Sequence, residues 1–159
     1  MLSINVDITQ YLSAMAKYPG EITSEIKKAL KDGATILIDE SRQLFNEHYE
    51  THTGNAARSI QIVESKTTPT SVTVGINLDV ASYGEYLHEG TKDHMVKPKK
   101  AKALHWVGGG ASMFSKGHMV SGIEKYQFIH LAAKNAEEKI VACVESHIRL
   151  ALAKVGLAE

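Results

Sequence analysis

The sequence predicts an α+β domain in which a small antiparallel sheet of about four strands packs against two long helices, with an extended basic loop between them. Three observations predict it. Apolar residues recur at spacings of three and four over residues 21–49 and again over 126–155, the signature of amphipathic helices. Residues 59–64 and 71–77 alternate apolar and polar positions instead, the period of a strand with one buried face. Between these patterns, residues 92–102 hold five lysines against one aspartate, in a chain whose acidic and basic residues balance at 18 each. The length of 159 residues fits one domain, residues 1–159, and a domain of this size buries roughly 70% of the surface its unfolded chain exposes.

Taken in order, a short helix is expected over residues 7–17, ended by Pro19 and Gly20, so that residues 1–20 form a helix and a linker. The first long helix follows over 21–49, its apolar stripe carrying Ile22, Ile26, Leu30, Leu37 and Phe45. Gly33 inside it costs about 1 kcal/mol relative to alanine, which points to a close helix contact or a bend there. Thr51 to Asn55, with Gly54, is turn chemistry, and two strands joined through Thr67-Thr68-Pro69-Thr70 then form a hairpin. Residues 81–89 read as a short helix or turn with Tyr83, Tyr86 and Leu87 on one side. Beyond the lysine-rich loop, residues 103–107 and 111–116 flank Gly108-Gly109-Gly110, the composition of a second hairpin, which would bring the sheet to four strands. The second long helix runs over 126–155, with Ile129, Ala132, Ala136 and Ile140 inward and Lys134, Glu137, Glu138 and Glu145 outward.

Composition narrows the functional classes. Hydrophobic residues make up 43% and charged residues 23%, the proportions of an ordinary globular protein, and a net charge of zero gives no support to bulk nucleic-acid binding. Cys143 is the only cysteine, so an intrachain disulfide and a cysteine-rich zinc site are both excluded, and its place on an apolar stripe predicts simple burial. The first residues lack the pattern of a signal peptide, and no apolar run approaches the roughly 18 residues needed to cross a bilayer. The chain is therefore expected to be made in a reducing cytoplasm, with no membrane partner.

Catalytic templates fit poorly. His88, Glu89 and His94 lie close in sequence, but a turn separates the histidines, which a zinc-protease helix would place at i and i+4. Gly108 to Gly110 precede no Gly-Lys-Ser or Gly-Lys-Thr, so a phosphate cradle yields to a hairpin turn. Ser82, Ser112, Ser115 and Ser121 stand in no nucleophile elbow. No enzyme, metal or cofactor is expected. The lysine-rich loop has three readings: a contact for nucleic-acid phosphates, a solvated loop, or a protein-assembly arm. Met95, Val96 and Pro98 interleave apolar surface with the charge, and Pro98 stiffens the segment, which favours the arm.

Several segments in order then carry a family resemblance: Thr53-Gly54-x-x-x-Arg58-Ser59-Ile60, Tyr83-Gly84-Glu85-Tyr86-Leu87-His88-Glu89-Gly90-Thr91, His94-Met95-Val96-Lys97-Pro98-Lys99-Lys100-Ala101-Lys102-Ala103-Leu104, and Gln127-Phe128-Ile129 before an alanine-rich helix. From about Glu21 onward the chain resembles the tail-completion or head–tail connector (neck) proteins of long-tailed bacteriophages, the minor tail-component family of lambdoid siphophages. It departs from that pattern at Val120-Ser121-Gly122-Ile123, where Gly122 matches and the family's proline is absent.

The resemblance implies a non-enzymatic virion protein that forms a sixfold homo-oligomeric ring at the head–tail junction. Its partners would be the head connector and the tail terminator or tube, with DNA passing through the ring unread. On this reading Lys92, His94, Met95, Val96, Lys97, Pro98, Lys99, Lys100 and Lys102 form the assembly arm over residues 90–102. Gly54, Gly90, Thr91 and Gly122 are hinge or turn residues, and Tyr83, Tyr86, Trp106 and Phe128 are structural, the tyrosines packing on the sheet or long helix. The alternative is a nucleic-acid-binding module that uses the same loop on DNA.

Overall fold

The structure, a computed structural model, describes residues 3–7, 20–50 and 53–154. Its chain order is β1 (Ser3–Asp7), α1 (Gly20–His48), α2 (Asn55–Ser59), β2 (Ile60–Ile62), a 3-10 turn (Glu64–Lys66), β3 (Ser71–Ile76), α3 (Gly84–Glu89), β4 (His94–Val96), β5 (Leu104–Gly108), β6 (Ala111–Ser115), β7 (His118–Val120) and α4 (Phe128–Lys154). The class is α+β, with two long helices and small antiparallel sheets.

The two long helices form one layer and run antiparallel. Glu25 meets Lys154, Asp32 meets His147, Glu40 meets Lys139, and Phe45 meets Phe128, so contacts descend one helix as they climb the other. The close approach foreseen at Gly33 is to Ile140: a Cβ on Gly33 would lie 3.3 Å from the Ile140 Cγ2 atom. Ile26, Leu30, Leu37 and Phe45 of α1 and Phe128, Ile129, Ala132 and Ala136 of α4 are buried along this seam. Full burial of one such large side chain stabilises by about 1.5–3 kcal/mol relative to exposure.

The second layer is a three-stranded sheet in the order β1-β3-β2, antiparallel throughout. Ser3 pairs with Gly75 and Ile60 with Ile76. Every residue of β3 is buried, as its central position requires. Val72, Val74 and Ile76 join the apolar core, while the Thr73 hydroxyl donates to the Lys66 carbonyl at 3.2 Å and Ser71 shares a hydroxyl hydrogen bond with Thr68. Arg42 locks this layer to α1 by donating to the carbonyls of Ala57 and Ile60 at 3.1 and 2.9 Å.

Sheet membership differs from the sequence expectation. Both predicted hairpins form, but the second one, β5 and β6, is a ribbon apart from the sheet, and the third strand of the sheet is N-terminal. Asp7 closes that strand instead of opening a helix; the rest of the helix expected over 7–17 lies outside the described residues. The alternation of Ile4 and Val6 with polar neighbours carries the strand period.

The tyrosines also differ from expectation. Tyr83 and Tyr86 are 45% and 57% exposed, because α3 turns a different face inward. Gly84 and His88, one turn apart, are its buried positions. A Cβ on Gly84 would stand 2.7 Å from the Ile76 Cγ2 atom, so glycine lets α3 sit directly on β3 and thereby rotates the tyrosines outward. Phe128, by contrast, is buried as expected, edge-on to Phe45 with centroids 5.2 Å apart.

Glu25 is a buried carboxylate at one end of the helix pair. It accepts from Lys154 at 2.7 Å and Lys28 at 2.8 Å, and His147 Nδ1 lies 3.4 Å away. The Lys154 hydrogen bond, then that of Lys28, hold its carboxyl at about 2 against an ordinary 4.5, although burial pushes the other way.

Two outcomes follow from this architecture. Phe128→Ala is expected to cost about 3–5 kcal/mol, read from urea unfolding, because it empties the space shared with Phe45. Because the folded Glu25 carboxyl titrates near 2 and the unfolded one near 4.5, the unfolded chain binds more protons between those values. Its contribution is complete above about 4.5 and is lost as pH falls towards 2, so Glu25→Gln should flatten the pH dependence of stability in that window.

Candidate functional site

Residues 90–125 leave the body after α3 and return before α4 as a paired arm. Near the body, β4 pairs with β7, matching His94 to Val120, Met95 to Met119 and Val96 to His118. Farther out, β5 pairs with β6, matching His105 to Phe114 and Trp106 to Met113. Gly109 and Gly110, at φ 58° and 81°, make the tip turn, a conformation that joins a two-residue hairpin without splaying its strands. The arm read over residues 90–102 is thus only the outgoing limb. Residues 117–125 form the return limb, in which β7 pairs with β4.

The hinge residues explain how the two limbs are fastened. Gly90 has φ 74°, and a Cβ there would meet the Ile123 carbonyl oxygen at 2.7 Å and the Lys125 nitrogen at 2.8 Å. Thr91 N–H donates to the Ile123 carbonyl at 2.9 Å, and Ile123 N–H donates back to the Thr91 hydroxyl at 3.0 Å. Gly122 N–H donates to Asp93 at 2.7 Å, and the space a Gly122 side chain would need is taken by the Thr91 carbonyl. Gly90, Thr91 and Gly122 therefore meet at one clasp. Gly54 lies elsewhere, at φ 67° before α2.

Glu89, read from the sequence as opening the hinge Glu89-Gly90-Thr91 and as a poorly fitting metal candidate, completes the clasp. Its carboxylate accepts from Lys125, the last residue of the return limb, at 3.1 Å and from Gln127, just beyond it, at 3.3 Å, and lies 3.1 Å from His88 Nδ1. Lys125 foremost, then Gln127, hold the Glu89 carboxyl at about 2. His88 is fully buried against the Phe128 ring, centroids 4.8 Å apart, and that burial lowers its pKa despite the neighbouring carboxylate. Glu89 can only accept, so Nδ1 of the neutral ring carries the proton and the buried Nε2 is left with no hydrogen-bond partner.

The arm's surface combines charge with apolar area. Lys92, Lys97, Lys99, Lys100 and Lys102 are all exposed, the last four around the elbow between β4 and β5. His94 and Met95 are exposed, and Val96 and Pro98 half-buried. Trp106, 39% exposed, lies beside the His118 ring on the arm itself, so it is not part of the core. Val107, Met113, Phe114 and Met119 add exposed apolar surface, with Phe114 the most open at 69% and stacked on His105. Residues 90–125 hold seven lysines against two acids, net +5, which leaves eleven basic and sixteen acidic residues elsewhere, net −5. A count over 92–102 alone hides this division.

The catalytic candidates are not brought together. His94 is on the exposed ribbon, with Nδ1 3.3 Å from the Lys92 carbonyl, while His88 is in the core. Among the described residues no three histidine, cysteine or acidic side chains are placed to share a metal ion. Cys143 is half-buried on α4, with burial raising its thiol pKa. No helix among the described residues is long and apolar enough to cross a membrane.

Fold and site together define a class: an α+β body of two long helices and a three-stranded sheet, bearing a basic, clasped β-arm. No family model, curated protein or solved structure matches the chain.

Gly90→Val is expected to break the clasp, through both its positive φ and the absence of room for a side chain. Limited proteolysis should then cut within residues 90–125 before the long helices. Glu89→Gln should give a milder form of the same pattern, since the amide cannot pair ionically with Lys125.

Proposed function

We propose that this protein is a non-enzymatic structural component of a long-tailed bacteriophage virion, forming a sixfold ring at the head–tail junction between the head connector and the tail terminator or tube. The observation that carries the reading is the arm: rigidly clasped at its base, basic, apolar towards its end, and attached to a body of opposite net charge. A ring is built from head-to-tail contacts that need two different patches on each subunit, and a projecting arm supplies one of them. The ordered resemblance to neck proteins supplies the setting, a virion assembled in the host cytoplasm with DNA passing through the ring.

The nucleic-acid reading rests on the same lysines and differs in its consequences. Phosphate binding by several lysines would show a steep fall of affinity with salt, since each neutralised phosphate releases counterions. The assembly reading needs the exposed apolar residues as well, which simple phosphate contact does not use.

The clasp makes a clean test possible. Because Thr91 and Ile123 are hydrogen-bonded to each other, residues 92–122 can be replaced by a short Gly-Ser linker without stretching the body. The expected product is a folded monomer that forms no rings in electron micrographs under conditions where the full chain does. Rings formed by the armless protein would refute the role of the arm.

A further inference from the structure

Between the C-terminal end of α1, the segment before α2 and the start of α3 lies a hollow of about 380 Å³. Phe45, Tyr49, Ala56, Tyr83 and Leu87 give it apolar and aromatic walls, and Glu50 contributes a carboxylate. Tyr49 donates its hydroxyl to the Leu87 carbonyl at 2.7 Å, which fixes one wall in place. The volume falls at the low end of the range for preformed binding pockets, suited to a side chain rather than to a large ligand. Glu50 lines the hollow and Glu47 and Glu85 stand on the same two helices, against one cation, Arg58, which donates to the Thr53 carbonyl at 2.9 Å.

Among the described residues, the exposed aromatic ring with the least cover is Phe114, on β6 two residues before Lys116 of the basic arm. Within one chain Phe114 is exposed and the hollow is open, so neither satisfies the other. We infer that Phe114 of one copy docks into this hollow on a second copy, with the arm's lysines facing Glu50 and its acidic neighbours. An aromatic anchor in a pocket, surrounded by complementary charge, is the usual distribution of energy in a protein interface. The contact is heterologous, because tip and hollow are different patches, and it therefore propagates from copy to copy until a ring closes. This inference rests on the assembly reading above and names the acceptor surface for its arm.

The test is disulfide trapping in a Cys143→Ser background. Ser112→Cys places a thiol on the Phe114 face of β6 while keeping the ring, and Thr53→Cys places one at the hollow. Mixed together, these two chains should form an intermolecular disulfide, whereas Ser112→Cys mixed with Leu150→Cys, an exposed site on α4, should not. Adding Phe114→Ala should cut the trapped yield about tenfold, as loss of an anchor residue does, and Glu50→Lys should also lower it. Equal trapping at Leu150→Cys, no trapping at Thr53→Cys, or indifference to Phe114→Ala would each overturn the acceptor assignment. If trapping fails but removal of residues 92–122 still abolishes rings, the arm acts at another surface. If the armless chain forms rings, the assembly reading itself falls. DNA that prevents the disulfide from forming while binding the arm's lysines with a steep salt slope would count for the nucleic-acid reading instead.

Discussion

The contact on which most of this molecule depends is the aromatic junction of Phe45, Phe128 and His88. Phe128 opens α4, Phe45 lies near the end of α1, and His88 stands in the last turn of α3, so one buried cluster joins both long helices to the element from which the arm departs. Its apolar character has a local cost. His88 Nε2 is buried without a partner, and leaving such a group unsatisfied costs about 1–3 kcal/mol. The two ring contacts and the His88 Nδ1 interaction with Glu89 offset that cost and turn the histidine into a link from core to clasp.

Rigidity is therefore distributed unevenly and in a way that serves a projecting arm. The base is over-determined: two reciprocal hydrogen bonds between Thr91 and Ile123, an Asp93 bond to Gly122, and a Glu89 carboxylate shared by Lys125 and Gln127. The outer ribbon is held by its own strand pairing, by ring contacts such as His105 on Phe114, and by the Ser115 hydroxyl bonded to Gly117 at its root. A base that sets direction, with an end that keeps its apolar groups exposed, is the combination an intermolecular contact requires. The charge division runs the same way, net +5 on the arm against net −5 elsewhere, the complementarity that the proposed contact between copies would use.

Particular elements show how far the residues alone carry a reader. The long helices are legible because Ile22, Ile26, Leu30 and Leu37 repeat a local period that no distant partner can alter. The positive φ of Gly54 and Gly90 follows from turn chemistry, and the burial of Ile129, Ala132 and Ala136 from the apolar stripe of the second long helix. Tyr83 and Tyr86 were not legible, because which face of a six-residue helix turns inward was settled by Gly84 fitting against Ile76, a contact between distant parts of the chain. The return limb was missed for the same reason: Met119 reads as loop until Met95 is beside it.

The sequence by itself determined the class, the two helices, the strand periods and the existence of a basic segment opening at Gly90, because each depends on local periodicity, backbone preference or charge count. Only the tertiary structure decided that the third strand is N-terminal, that the second hairpin stands outside the sheet, and that Gly90, Thr91 and Gly122 form one clasp. Those outcomes turn on which strand edges and which backbone groups meet, and every such choice pairs residues tens of positions apart, beyond the reach of any local pattern.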